Sequence, residues 1–227
     1  MPSIAPPRAV VPALALTLAT LVLASCGEGG GGGESTSSAL PQGCREVHKP
    51  PPKHVNLKPP HQKIPRSQRL TAAVGTTCGR FEIALDTRDS PKTVGSFVHL
   101  ARKGVYDNTT FHRIVPNFVI QGGDPRGTGT GGPGYSVNEP PPANAEYTKG
   151  TVAMVKTAAE PPGSSGSQFF VVTAADAGLP PQYALLGKVS SGEDVVARIA
   201  SLGDPASGQA GTPRAIVVIR KIAVSGG

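Results

Sequence analysis

The chain has 227 residues, a formal charge of +7, no tryptophan, 29 glycines and 24 prolines. Arg8 carries one unit of the surplus charge, residues 27–68 carry six basic against three acidic groups, and the last +3 is spread over residues 69–227. No basic stripe interleaved with aromatics appears, which argues against nucleic acid as a partner. The first 68 residues are rich in Pro, Gly, Ser and His, and residues 69–227 read as the one stretch long and mixed enough for a sizeable core.

In chain order, residues 9–24 (AVVPALALTLATLVLA) form an apolar run behind Arg8. The run is too short and too Pro-interrupted for a good spanning helix and fits the hydrophobic part of a secretory signal over residues 1–25. It ends in Leu23-Ala24-Ser25-Cys26 followed by glycine, which resembles the lipobox of bacterial lipoproteins. In that motif the cysteine is lipidated and becomes the first residue; the alternative is an ordinary signal in which Cys26 has no role. An anchor at Cys26 implies an exported protein held on the extracytoplasmic face of a membrane, with several acyl chains giving stable attachment.

Residues 26–68 read as a flexible tether. The tract GEGGGGG and then ESTSSA favour a random coil, and KPPPKHVNLKPPHQKIP favours extended conformations. The span is roughly 35 Å as a coil and about 130 Å drawn out. His48, His54 and His61 recur along it, but spacing in such a segment is not a metal site, and none is assigned. Once Cys26 is set aside, Cys44 and Cys78 remain. In an exported chain they are most simply a disulfide pair that fastens the tether to the domain, the alternative being two free thiols.

Residues 69–75 and 80–85 flank a turn and read as a hairpin. Ser90-Pro91 opens a helix that carries Val94, Phe97, Val98 and Ala101 on one face and stops at Gly104. Short strands are expected near 110–115, 118–121, 151–155, 168–173 and 185–189. A second helix is expected over about 192–200, with Ser191 and Asp194 as a capping-box-like start, and a closing strand over 214–224. The sum is a mainly β domain over residues 69–227: a closed antiparallel eight-stranded β-barrel capped by two α-helices. Gly127–Gly132 formally matches G-x-G-x-x-G, but Pro133-Gly134 follows where a dinucleotide site needs a helix, so the segment reads as a tight loop.

The most informative stretch is Phe111-His112-Arg113-Ile114-Val115-Pro116-Asn117-Phe118-Val119-Ile120-Gln121-Gly122-Gly123-Asp124. With Gly129-Thr130-Gly131-Gly132 and Gly166-Ser167-Gln168-Phe169-Phe170, it resembles the signature of the cyclophilin family over nearly all of residues 69–224. From the residues alone, Arg113, Gln121, Phe118 and Phe170 suggest an apolar pocket with one fixed cation, which is a small-ligand site of unnamed ligand. The resemblance implies the ligand: a proline within a peptide. It also implies peptidyl-prolyl cis/trans isomerase activity without cofactor or metal, in a monomer.

Residue by residue, the resemblance implies Arg113 as the catalytic cation and Gln121 as the group that orients it. It implies Phe118, Val119, Phe170, Leu179 and Tyr183 as walls of the proline pocket, with Gly129, Gln168 and Lys156 along the neighbouring groove. His112 lacks a nucleophile beside it and reads as a packing or hydrogen-bonding residue. The chain departs from the family at Val119, often Met; Lys156, commonly Asn; Tyr183, often His; and Gly178, near where many members carry Trp. The last implies weak cyclosporin binding. Residues 157–163 look longer than common forms. The partners implied are proline-containing peptides and unfolded exported proteins. The competing class is a proline-peptide-binding chaperone or interaction module with little turnover.

Overall fold

The computed structural model describes residues 40–61 and 64–226. The expected signal, Cys26 and the tether up to residue 39 lie outside the described residues. Twelve regular elements follow in order: β1 Leu70–Thr76, β2 Gly79–Leu85, α1 Pro91–Arg102, β3 Thr109–Val115, β4 Val119–Asp124, β5 Val137–Asn138, β6 Thr151–Met154, β7 Ser164–Ser165, β8 Phe169–Val172, β9 Leu185–Ser191, α2 Glu193–Ala200 and β10 Val218–Gly226. Eight strands close into a barrel in the order β1-β10-β3-β4-β8-β6-β9-β2, leaving β5 and β7 as a small separate ladder. The barrel pairings are antiparallel, and closure leaves the barrel no unpaired edge. The eight barrel strands and two helices are those expected from the sequence; β5 and β7 were not.

Strand alternation sorts the side chains onto two faces. Phe81, Ile83, Ile120, Val152, Met154, Phe169 and Val171 fill the interior. The ring of Phe169 stands edge-on to Phe97, Tyr106 and Phe111, with centroids 5.9–6.0 Å away, a geometry that aligns ring edges with ring faces. Val119, Ala153, Phe170 and Val172, the neighbours of those residues in sequence, point outward into a second apolar cluster. That outer cluster is where the candidate site lies.

α1 starts at Ser90-Pro91 as expected, but the capping of both helices differs from expectation. Neither Ser90 nor Ser191 caps through its side chain. At α1 the Glu139 carboxylate, brought in by the β5 region, accepts from the backbone N–H groups of Lys92 at 3.2 Å and Thr93 at 2.7 Å, placing negative charge at the positive helix end. At α2 the N-cap is Gly192 in the left-handed region, φ 76°; Ser191 is the last residue of β9, paired with Glu82. The closing strand also starts later than expected, at Val218. The preceding residues are committed elsewhere: Gly211 O accepts from Ile114 N, Arg214 N donates to Leu202 O, and Val217 O accepts from Phe111 N.

Residues 40–61, expected as part of a free tether, instead run along the barrel as a strap. Cys44 is joined to Cys78 by a disulfide. Arg45 N donates to Thr77 O, Lys53 N to Pro125 O and Leu57 N to Pro133 O. Lys53, Val55 and Leu57 are half-buried while His54, Asn56 and Lys58 are exposed, so the prolines and the period of two give an extended segment with an inner and an outer side. The Lys53 ammonium donates to the carbonyls of Gly104, Val105 and Asp107 at 3.0, 2.7 and 2.6 Å. Burial lowers its pKa, and Asp107 opposes that shift. Leu57 and Ile64 pack against the core, which explains why α1 is buried on more than the single face its periodicity indicated. A composition rich in Pro and Lys resembles that of a spacer, but the backbone donors and the Lys53 cradle hold the segment in place.

Candidate active site

Three adjacent strands bring the polar residues into one row. The register pairs Arg113 on β3 with Gln121 on β4, and Gln121 with Phe170 on β8. The β3–β4 turn is made by Pro116-Asn117, with Asn117 at φ 53°, a conformation that asparagine tolerates better than most residues. The turn sets Phe118 beside the row, with the Arg113 guanidinium carbon 5.9 Å from its ring centroid.

The amide of Gln121 works on both sides. Its Oε1 accepts from Arg113 Nη1 at 3.3 Å, and its Nε2 donates to Gln168 Oε1 at 3.1 Å. Gln168 Nε2 in turn donates to the carbonyls of Gly129 and Gly131 at 3.0 and 2.9 Å. The row therefore extends from the guanidinium into the glycine-rich loop. His112 Nε2 lies 3.4 Å from Gln121 Nε2. Burial depresses the His112 pKa against the pull of Asp124 and of a backbone hydrogen bond at Thr110, while Arg113 and Lys49 add smaller pushes in the same direction as burial. In the neutral tautomer that carries its proton on Nδ1, Nε2 accepts the second amide proton of Gln121.

The loop is organised by buried Asp124 at the end of β4. Its carboxylate accepts from the N–H groups of Arg126, Thr128, Gly129 and Gly131 at 2.6–3.0 Å. Burial alone would raise its pKa; the backbone donors, Gly131 first, outweigh burial and hold it below the usual carboxylate range. A side chain on Gly131 would run into this carboxylate. The segment is thus a carboxylate-centred turn, in keeping with the absence of a helix after it.

Apolar walls surround the row. Val119, Tyr147, Ala153, Phe170 and Val172 are buried together, with Phe118, Leu179 and Tyr183 packed at the edge. Phe170 and Tyr183 meet edge to face at 5.5 Å. The next groove, about 260 Å³, is lined by Gly129, Lys156 and Gln168 among others. Lys156 does not extend into open solvent. Its ammonium donates to the carbonyls of Thr157 and Glu160 and stands 5.9 Å from the Tyr183 centroid. Glu160 closes the same loop by accepting from Thr157 N at 2.6 Å. The ten pocket and groove residues expected from the sequence are therefore brought onto one face, seven around the apolar pocket and three along the groove.

Two contributors were not anticipated. The 3₁₀ turn Pro205–Ala210 presents the Gln209 carbonyl, which accepts from Arg113 Nε at 3.1 Å and Nη2 at 3.0 Å. Gly211 follows at φ 65°, and a Cβ there would press on Arg113 and Val115. The sequence signal was Asp204-Pro205, a cap and a first-position proline, with Asp204 accepting from Ala206 N. The other is Tyr147, whose hydroxyl donates to Tyr183 O at 2.7 Å and accepts from Tyr183 N at 2.9 Å; no local pattern marks it. Partial burial lowers the Arg113 pKa from its ordinary value, opposed by Tyr183. An arginine remains charged in proteins, so the site offers a fixed cation beside an aromatic pocket, and donors rather than nucleophiles.

Comparison with known proteins agrees with this geometry. Residues 71–224 match the family model described as cyclophilin type peptidyl-prolyl cis-trans isomerase/CLD. A peptidyl-prolyl cis-trans isomerase-like 1 of Gibberella zeae is 39% identical over 127 residues, 55% of this chain and 77% of its own length. A probable peptidyl-prolyl cis-trans isomerase B of Mycobacterium tuberculosis is 34% identical over 196 residues, 76% of this chain and 62% of its own. Among solved structures, a Cryptosporidium parvum cyclophilin type isomerase superposes with a TM-score of 0.62 at 29% identity, covering 69% of this chain and 98% of that one. The same protein was also crystallised in the presence of the dipeptide Ala-Pro, with a TM-score of 0.61 at 28% identity, covering 68% and 98% of the two chains.

Proposed function

Since the chain belongs to the cyclophilin-type peptidyl-prolyl cis-trans isomerase family, we propose that it turns over X–Pro bonds of exported proteins with Arg113 as its catalytic residue, anchored to a membrane through Cys26. The observation that carries the catalytic part is the row Arg113–Gln121–Phe170, with the guanidinium held from behind by Gln209 and facing an apolar pocket.

The mechanism follows from amide physics. Resonance sets a rotation barrier of about 18–20 kcal/mol, and X–Pro bonds exchange over tens of seconds or longer. Twisting the bond breaks resonance and returns a lone pair to the proline nitrogen. Phe118, Val119, Phe170, Leu179 and Tyr183 hold the ring, and the Ala-Pro used with the Cryptosporidium protein supports such a ligand. Gln121 and Gln209 fix the guanidinium so that an N–H meets the lone pair only in the twisted state. This stabilises the transition state selectively, with no covalent intermediate. Gly129 and Gln168 receive the peptide backbone along the groove, and Lys156 borders it.

The export reading rests on the apolar run ending at Cys26 and on the Cys44–Cys78 bond, which suits an oxidising compartment. At the rim, a Cβ added to Gly178 would meet nothing within 4 Å, so this position lends no wall to a bulky ligand, which supports weak cyclosporin affinity. A protease-coupled isomerisation assay on the full chain tests the core of the proposal. Arg113→Ala is expected to lose activity on the order of a hundredfold with its circular dichroism unchanged. A folded wild type that does not accelerate isomerisation overturns it in favour of a binding module. Mass spectrometry of the mature N-terminus tests the anchor, and an unmodified Cys26 overturns that part.

A further inference from the structure

The groove that holds Gly129, Lys156 and Gln168 adjoins a second cavity, of about 450 Å³, walled by residues 53–56 of the strap and by Arg126. The two spaces share the backbone of Gly132 and Gly134. At Gly132 no side chain stands between them, and a Cβ added there would meet nothing within 4 Å. The strap is a fixed wall at this place. Lys53 N donates to Pro125 O at 2.8 Å and Leu57 N to Pro133 O at 2.7 Å, one near each end of the glycine-rich loop. Between them Asn56 packs so closely that a Cβ on Gly134 would lie 3.0 Å from its Cα. His54, Asn56 and Arg126 are all exposed, so a ligand can reach them. The charge here is one-sided, since no carboxylate lines the cavity among the described residues. The Lys53 ammonium is spent on three carbonyls, and the nearby Asp124 carboxylate is buried and taken up by four backbone donors. Arg126 is different. Its Nη2 donates to Thr130 O at 2.6 Å and Oγ1 at 3.2 Å, which steadies the guanidinium, while Nε and Nη1 have no partner among the described residues.

We infer that the strap extends the substrate-binding surface: a peptide seated by its proline in the apolar pocket continues along the groove, crosses Gly132 and places a flanking acidic side chain against Arg126, beside His54. The ligand is an extended, unfolded chain with a carboxylate a few residues from the proline. Two features select that occupant. The cavity is continuous with the groove, so a chain lying in the groove is led into it. Its one uncommitted fixed cation lacks a counter-charge, which an acidic residue supplies through a charge-assisted hydrogen bond. The site rests on the isomerase reading of the pocket and is independent of the anchor.

The test is nuclear magnetic resonance of the full chain, at constant ionic strength, with a short proline peptide and with the same peptide lengthened at one end or the other. The added segment is Ser with Asp, Ser alone or Ser with Lys. Lengthening with Ser and Asp at one end only should lower KM about tenfold and leave kcat unchanged, while Ser with Lys gives no gain. The amides of Asn56, Gly132 and Gly134 should shift and saturate with that Ser/Asp peptide. His54→Glu and Arg126→Gln should each abolish the gain while turnover of the short peptide stays unchanged. Should Arg126→Gln disturb the loop through Thr130, His54→Glu, at an exposed strap position, decides alone. An equal gain from Ser/Asp at both ends, or a gain that survives in His54→Glu, would mean general attraction to a basic protein and would overturn the inference. Turnover of the short peptide reports on the isomerase reading by itself: saturable shifts at these amides without turnover would uphold the site and overturn that reading instead.

Discussion

Gln121 uses its whole amide: the oxygen on Arg113, the nitrogen on Gln168 and His112. That economy ties the row to the charge of one imidazole. The folded pKa of His112 lies below its ordinary 6.5 because burial disfavours the cation. Its stabilising contribution is therefore complete above about 6.5 and is lost as pH falls from there through the folded value. Protonation also turns Nε2 into a donor facing a donor, which displaces Gln121. Isomerase kcat/KM is expected to fall on the acid side, with an apparent pKa below 6.5. That limb should be missing in His112→Asn, as a pH–rate profile of both proteins would show. A second residue-scale prediction concerns Tyr147→Phe, which strands the backbone N–H and C=O of Tyr183. It is expected to cost about 1–3 kcal/mol in urea unfolding and to raise KM more than it lowers kcat. Arg113, Gln121 and Phe170 were legible because a short motif and strand register carry them together. Gln209 and Tyr147 were not, since each arrives alone from a distant segment.

At the scale of elements, the hydrophobic periods foretold the barrel strands and both helices, while the caps escaped. A serine before a proline is the common start signal, yet α1 is capped by Glu139, whose sequence distance of 46 residues from Thr93 hides it. Glu139→Gln removes the charge and turns one of the two accepting oxygens into an amide donor, so thermal unfolding should shift downward by the equivalent of about 1 kcal/mol. The strap departs from its sequence reading for a related reason. Composition reports what a segment does in isolation, whereas Lys53 acts through three carbonyls on the α1–β3 connection. Lys53→Met leaves those carbonyls without their donor. It is expected to speed amide hydrogen exchange along residues 53–57 and to destabilise the domain by about 1–2 kcal/mol, while the barrel strands keep their protection. Unchanged exchange in the strap would refute this role.

For the whole molecule, the disulfide closes a loop across a sequence separation of 34, and the chain-entropy model gives such a loop about 3–4 kcal/mol. Cys44→Ser together with Cys78→Ser should lower the midpoint of thermal unfolding by an amount matching that figure, with isomerase activity retained at low temperature. Fold class was readable because antiparallel barrels impose local, repeated alternation; the domain's true edge was not, because it depends on contacts between residues far apart in sequence. If the chain is anchored at Cys26 as proposed, moving that edge from residue 69 to residue 40 would shorten the reach of the enzyme. Under that proposal thirteen residues, 27–39, would separate the anchor from the domain, and a chain of that length drawn out spans about 40 Å. A catalyst so held would meet anything emerging from the same patch of membrane at an effective concentration on the order of 10 mM. Lengthening the Gly tract, rather than altering the pocket, would then be the way to dilute it.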